Sequence, residues 1–216
     1  MNKLNKIKEK CIYSLQGNIS SGKSEILNKL ERQNKTIKKE PIQQWESLLN
    51  REHRKRGSDF GVHIQTRICT TLSLREYSSW LKSSEQSIFV ERNLDSAKEV
   101  FIPSAKWDKT IDEEGTKTLE ILYITLENLR AQTTKQWEEM YKVKINHKIV
   151  YIRSEPAKCF ERLKTRNQAG DEYITLNYLE KIHLMHEKWL LGKPQEVITL
   201  EENLSLSQKI DILKNL

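Results

Sequence analysis

Glycine, proline and cysteine are scarce in this chain: 7, 4 and 3 of 216 residues. So little glycine and proline excludes collagen-like repeats and Pro/Gly low-complexity sequence. The cysteines, Cys11, Cys69 and Cys159, are odd in number and far apart. They spell neither a disulfide framework nor a zinc spacing, and they favour a reducing compartment. No apolar run approaches the ~20 residues of a membrane span, so no membrane partner is expected. Internal repeats and low-complexity linkers are lacking too. No recognition module or interleaved aromatic–basic stripe is present, so a nucleic-acid partner is not expected either.

What is there suits one domain with a real core. Basic residues outnumber acidic ones, 37 to 30, for a net charge of +7. The excess points to an anionic partner without naming it. Part of it lies in the first ten residues, MNKLNKIKEK. These read as a flexible basic tail over 1–10, with the domain over 11–216. The tail is too poor in apolar residues for a signal peptide and lacks the Arg and Ser of a transit peptide. A cytoplasmic location is expected, with a mitochondrial one left open.

Short β-rich runs alternate with helical patterns. The runs are 11–16 (CIYSLQ), 36–39 (TIKK), 87–90 (SIFV), 149–152 (IVYI) and 196–200 (EVITL). Leu119, Leu122, Leu126 and Leu129 share one helical face, as do Leu176, Leu179, Ile182 and Leu190. Two further helices are expected over 42–52 and 59–81. Strands alternating with helices imply βαβ units, a mainly parallel sheet, and a site at the carboxyl ends of its strands.

One motif stands in that place. Gly17-Asn18-Ile19-Ser20-Ser21-Gly22-Lys23-Ser24 satisfies G-x-x-x-x-G-K-[ST] between the first strand and a helix expected over 25–32. Glycines let the backbone curl its N–H groups inward onto phosphate oxygens, and the helix N-terminus adds favourable partial charge. Lys23 can reach the β- and γ-phosphates, and the Ser24 hydroxyl can sit on Mg²⁺. Glu40 closes the second strand, and Glu91 and Arg92 close the third. A carboxylate there can hold Mg²⁺ or accept a proton from an attacking hydroxyl, and an arginine can stabilise charge on the transferring group.

These residues, with EPIQQW at 40–45, Gln65, VER at 90–92, YIRSEP at 151–156, ERLKTR at 161–166 and ITLNYLEKIHLMHEKWL at 174–190, resemble the deoxyribonucleoside kinases over most of the chain. The resemblance implies a three-layer α/β phosphate-loop kinase whose five-stranded parallel sheet runs 2-3-1-4-5, with a lid at about 162–173 and a homodimer through helices. It implies transfer of the γ-phosphoryl group of ATP, with Mg²⁺, to the 5′-hydroxyl of a deoxyribonucleoside. By position Glu40 is then the base, Arg92 orients the hydroxyl, and Glu91 joins Ser24 at the Mg²⁺. Gln65 binds the base, Trp45 and Phe101 wall it, and Arg162 and Arg166 meet the phosphates. Asp171 is the lid acid that contacts the sugar 3′-hydroxyl. Leu72 and Ala97 stand where the deoxycytidine-specific members carry an Arg/Asp pair, which implies thymidine first, deoxycytidine second and purines poorly.

Each role has a plainer alternative. Trp45 and Phe101 can be ordinary core, Gln65 a solvated helix residue, and Arg162, Lys164 and Arg166 a solvated helix face. His183 and His186, three apart, are either packing residues or half of a metal pair. The stripe from Leu119 to Leu129 is either core or dimer interface. Ser20 and Asn93 replace the family's usual Gly and Ser, Ile64 its Phe, and Gln168 and Gly170 stand for a lid arginine and a lid acid. His53 is the nearest candidate for a missing tyrosine contact to the sugar. Two other functions remain open: a thymidylate-type kinase, which needs extra cations near Glu40 that EPIQQW lacks, and a non-catalytic relative, which has no need of Lys23, Ser24 and Glu40.

Overall fold

The computed structural model describes residues 8–49, 58–77, 85–166, 168, 170–192 and 196–216. Five strands, β1 (Lys8–Gln16), β2 (Thr36–Lys38), β3 (Ser87–Glu91), β4 (Val143–Ile152) and β5 (Val197–Leu200), form one sheet in the order β2-β3-β1-β4-β5. Every pairing is parallel, as expected from the alternating pattern.

β1 begins within the stretch read as tail. Lys8–Lys10 pair with Val143–Ile145 of β4, and Lys10 is buried. β4 likewise starts six residues before its apolar run. Main-chain pairing needs no apolar side chain, so a continuous apolar run marks only the ends of these strands that lie between two helical layers. Residues 1–7 lie outside the described residues.

The helices are α1 (Lys23–Glu31), α2 (Glu46–Leu49), α3 (Ser58–Tyr77), α4 (Leu94–Ser96), α5 (Ile102–Trp107), α6 (Glu113–Tyr141), α7 (Pro156–Arg166), α8 (Leu176–Leu190) and α9 (Leu206–Lys214). A π-helical turn, Ala97–Phe101, joins α4 to α5. The helix expected over 42–52 is instead a 3₁₀ turn, Ile42–Gln44, followed by the short α2. Pro41 at its head supplies no N–H donor. The far ends of both helices expected over 42–52 and 59–81 lie outside the described residues.

Alternation along the strands builds three layers. Tyr13, Leu15, Phe89, Val150 and Ile152 pack against Ile26, Leu27 and Leu30 of α1 and Ile210 and Leu213 of α9. On the opposite face Ile12, Ile88, Val90 and Ile145 meet Trp137 of α6. Tyr151 and Val197 there meet Ile182, Trp189 and Leu190 of α8. A fully buried leucine such as Leu30 contributes about 1.5–3 kcal/mol by leaving water. Leu119 is core, Leu122 and Leu126 are half-buried against the same cluster, and Leu129 is exposed. The leucine stripe is therefore core at its start only. No helix among the described residues is long and apolar enough to cross a membrane.

Candidate active site

The phosphate loop turns off the buried end of β1. Gly17, Ser20 and Gly22 all have positive φ, at 141°, 61° and 96°. Gly17 has no alternative: a Cβ there would meet the Ile152 carbonyl oxygen at 2.6 Å. Ser20 takes the left-handed conformation against its Cβ, a cost of roughly 1–2 kcal/mol that a glycine would avoid. Lys23 Nζ donates to the carbonyls of Gly17 (3.0 Å) and Asn18 (2.6 Å) and to Ser21 Oγ (3.4 Å). Burial, with help from the Arg92 charge, lowers the Lys23 pKa to about 7, while Glu91 and Glu40 pull the other way.

Ile19, Ser20, Ser21, Gly22, Lys23 and Ser24 line a cavity of about 870 Å³. Gly17 and Asn18 stand behind it. The Asn18 amide donates to the Leu179 carbonyl on α8 (2.9 Å) and its Oδ1 accepts from Ile19 N (2.8 Å). Asn18 therefore ties the loop to α8 and does not present its side chain to the cavity.

Strand register brings the charged residues together. Leu15 pairs with Glu91 and Lys38 pairs with Val90. Two residues past that last β2–β3 pair, Glu40 and Arg92 stand level. Arg92 Nη1 donates to both Glu40 oxygens, at 2.8 and 3.0 Å. Both side chains are nearly closed to solvent, at 10% exposure for Arg92 and 6% for Glu40. Ser24 Oγ donates to Glu91 Oε1 (2.5 Å), and Glu91 Oε2 accepts from the Glu40 N–H (3.3 Å). Oxygen donors from Ser24 and Glu91 side by side at the foot of a phosphate loop suit a hard divalent cation.

Helix α3 forms one wall through Phe60, Gly61, Ile64, Gln65, Ile68 and Leu72, spaced three and four apart. Gln65 is buried and its Oε1 has no hydrogen-bond partner among the described residues. That leaves an acceptor ready for a ligand's donor. Trp45 engages its indole N–H on Thr71 Oγ1 (2.8 Å), and the Arg92 guanidinium lies 4.7 Å from the centre of the Phe101 ring. Leu72 reaches the cavity but Ala97 does not: it is fully buried with Cys69, Leu94 and Ile102. The π-helical turn that starts at Ala97 changes the helical register, and Ser96, Phe101 and Ser104 face the cavity instead.

Arg162, Arg166, Gln168, Gly170 and Asp171 line the far side. Arg162 Nη1 donates to Ser154 Oγ (3.0 Å). Arg166 forks onto Asp171 with bonds of 2.9 and 2.6 Å, so this acid and this cation hold each other. Lys164 lies over the Phe160 ring, outside the cavity lining. His186 is a packing residue: it stacks on Tyr151, its Nδ1 meets the Ile182 carbonyl (2.8 Å), and burial lowers its pKa to about 3. His53 lies outside the described residues.

Sequence reasoning missed the cavity's outer end. Asp108 and Lys181, from the end of α5 and from α8, form an ion pair there, and both line the cavity. The turn behind Asp108 sits on Gly61, where a Cβ would meet the Thr110 carbonyl oxygen at 2.0 Å. Spacing gives one signal: Asn177, Tyr178 and Lys181 share a helical face on α8.

A parallel sheet in this order with a lysine-bearing loop after its central strand defines a phosphate-loop kinase fold. The chain belongs to the deoxynucleoside kinase family, whose model matches residues 13–214. A probable deoxycytidine kinase of fowlpox virus is 28% identical over 179 residues, covering 82% of this chain and 70% of the relative. Human mitochondrial thymidine kinase 2 is 27% identical over 190 residues, covering 85% of this chain and 65% of that protein. Bovine deoxycytidine kinase is 24% identical over 225 residues, covering 93% and 81% respectively.

Proposed function

We propose that this chain transfers the γ-phosphoryl group of ATP to the 5′-hydroxyl of a deoxyribonucleoside, thymidine before deoxycytidine. The observation that carries the reading is the buried Glu40–Arg92 pair, which opens onto the same cavity as Lys23 and Ser24. Such transfer runs through a loose transition state, so the protein's task is to position groups and neutralise charge. Glu40 accepts the 5′-hydroxyl proton, while Arg92, paired with that carboxylate, orients the hydroxyl. Lys23 leaves its own loop carbonyls for the phosphate oxygens, and Arg162 and Arg166 add charge from the lid side. Ser24 and Glu91 would hold Mg²⁺, which supplies further charge neutralisation at the phosphates. Gln65 offers an amide edge to the base between Trp45, Phe101 and Leu72. Asp171 reaches the sugar once Arg166 releases it. Leu72 offers a base no side-chain hydrogen bond, as the thymidine preference requires. A homodimer through α6 belongs to the same reading.

The test is transfer from Mg-ATP to thymidine, deoxycytidine, deoxyadenosine, deoxyguanosine and thymidine monophosphate. Thymidine should lead and the monophosphate should be inert. Transfer to the monophosphate alone would move the chain to nucleotide kinases, and a purine nucleoside matching thymidine would refute the preference.

A further inference from the structure

We propose that Arg75 is a positioning residue for the Glu40–Arg92 pair; the proposal rests on the reading of Glu40 as the base. Arg75 lies on α3, three residues beyond Leu72, and no motif flags it. Its guanidinium donates to three main-chain carbonyls: Nη1 to Lys39 (3.0 Å) and Glu91 (2.8 Å), and Nη2 to Arg92 (2.6 Å).

Those three carbonyls occupy a particular place. The β2–β3 ladder ends at Lys38 and Val90. Past that pair the segment carrying Arg92 stays laddered to β1 through Leu15 and Glu91, but no ladder ties it to the segment carrying Glu40. Arg75 bridges them where the ladder stops, gripping the Lys39 carbonyl just before Glu40 on one segment and the Glu91 and Arg92 carbonyls, which flank the Arg92 Cα, on the other. The planar fork of five N–H groups suits several acceptors at once, which a lysine ammonium on a flexible stem does not match.

The grip also bears on strain. Arg92 has φ 53°, a left-handed conformation costly to a residue with a Cβ. Such conformations persist where the surroundings over-determine them. Arg92 is fixed on one side by its N–H on the Leu15 carbonyl (3.0 Å) and on the other by Arg75 on its own carbonyl. Only with both in place does the Arg92 side chain turn back to meet both oxygens of Glu40. Arg75 touches neither acceptor nor phosphate in this account; it acts through main chain.

The test compares the parent enzyme with Arg75→Lys and Arg75→Ala, reading kcat and KM for thymidine and for Mg-ATP together with the thermal midpoint. Misplacing a reacting group by about 1 Å costs on the order of 100-fold. The expected result is a fall in kcat of about that size in both variants, with KM for Mg-ATP within about twofold of the parent's because the phosphate loop is not gripped by Arg75. Added guanidinium at non-denaturing concentration should restore part of kcat in Arg75→Ala and none in Arg75→Lys. A kcat within about twofold of the parent's in Arg75→Ala would overturn the proposal. So would losses of kcat, both KM values and thermal midpoint in step, without guanidinium rescue. A parent inactive on every nucleoside would sink the underlying reading and this inference with it, an outcome distinct from an active parent with active variants.

Discussion

Lys23 shows how much of the candidate site is a waiting arrangement. Its ammonium is turned back onto carbonyls of its own loop and buried, and burial brings its pKa from 10.5 to about 7. Between pH 7 and 10.5 the unfolded chain binds this proton and the folded chain does not, so this group's contribution to stability rises with pH across that window. A bound triphosphate favours the charged form and raises the pKa again. Binding of a non-hydrolysable Mg-ATP analogue at pH 7.5 should therefore be accompanied by net proton uptake. Calorimetry in buffers of different ionisation enthalpy reads that uptake directly, and affinity should fall as pH rises from 7 to 9. Binding with no uptake and no pH dependence would contradict this account of Lys23.

At the scale of elements, most of the pattern was legible in the sequence, and the shortfalls have physical causes. The five β-rich runs marked all five strands but stopped short of the outer ends of β1 and β4, where main-chain bonds pair Lys8–Lys10 with Val143–Ile145 and only Val143 and Ile145 are apolar. The G-x-x-x-x-G-K-[ST] spacing marked the loop, yet it did not tell that Asn18 faces α8. Ala97 was placed at the base by resemblance alone; it is buried behind the cavity, and the π-helical turn over 97–101 presents Phe101 there. Arg75, Asp108 and Lys181 act through contacts between distant segments, which spacing within one segment does not reveal. The stripe on α6 divides by face: Leu119, Leu122 and Leu126 turn inward, whereas Ile121 and Ile124 are exposed. Two isoleucines one turn apart on open surface suit a second copy of the chain better than water. Light scattering should give twice the chain mass, and Ile124→Lys should reduce it to one chain without lowering the thermal midpoint. A wild-type mass of one chain would remove the dimer from the reading.

For the molecule as a whole, the parallel order β2-β3-β1-β4-β5 makes the site. It sets the carboxyl ends of β1 and β3 side by side, with the loop on one and Glu91 and Arg92 on the other, and lets the short β2 deliver Glu40 alongside. α3 and α8 then wall a single cavity that reaches from the phosphate loop to the Asp108–Lys181 pair. The phosphate loop lines one part of it, and α3 gives another part a largely apolar wall with the Gln65 amide, so one chain can bring a triphosphate and an uncharged acceptor together. In the proposed reaction Glu40 takes the proton as the phosphoryl group moves. Glu40→Gln keeps the side chain's shape while removing the base. The most direct measurement is phosphoryl transfer from Mg-ATP to thymidine by this variant beside the wild type, with binding of a Mg-ATP analogue measured on both. Transfer should fall by about 100-fold to 10,000-fold with analogue binding retained; transfer by the variant at the wild-type rate would contradict the role of Glu40 as base.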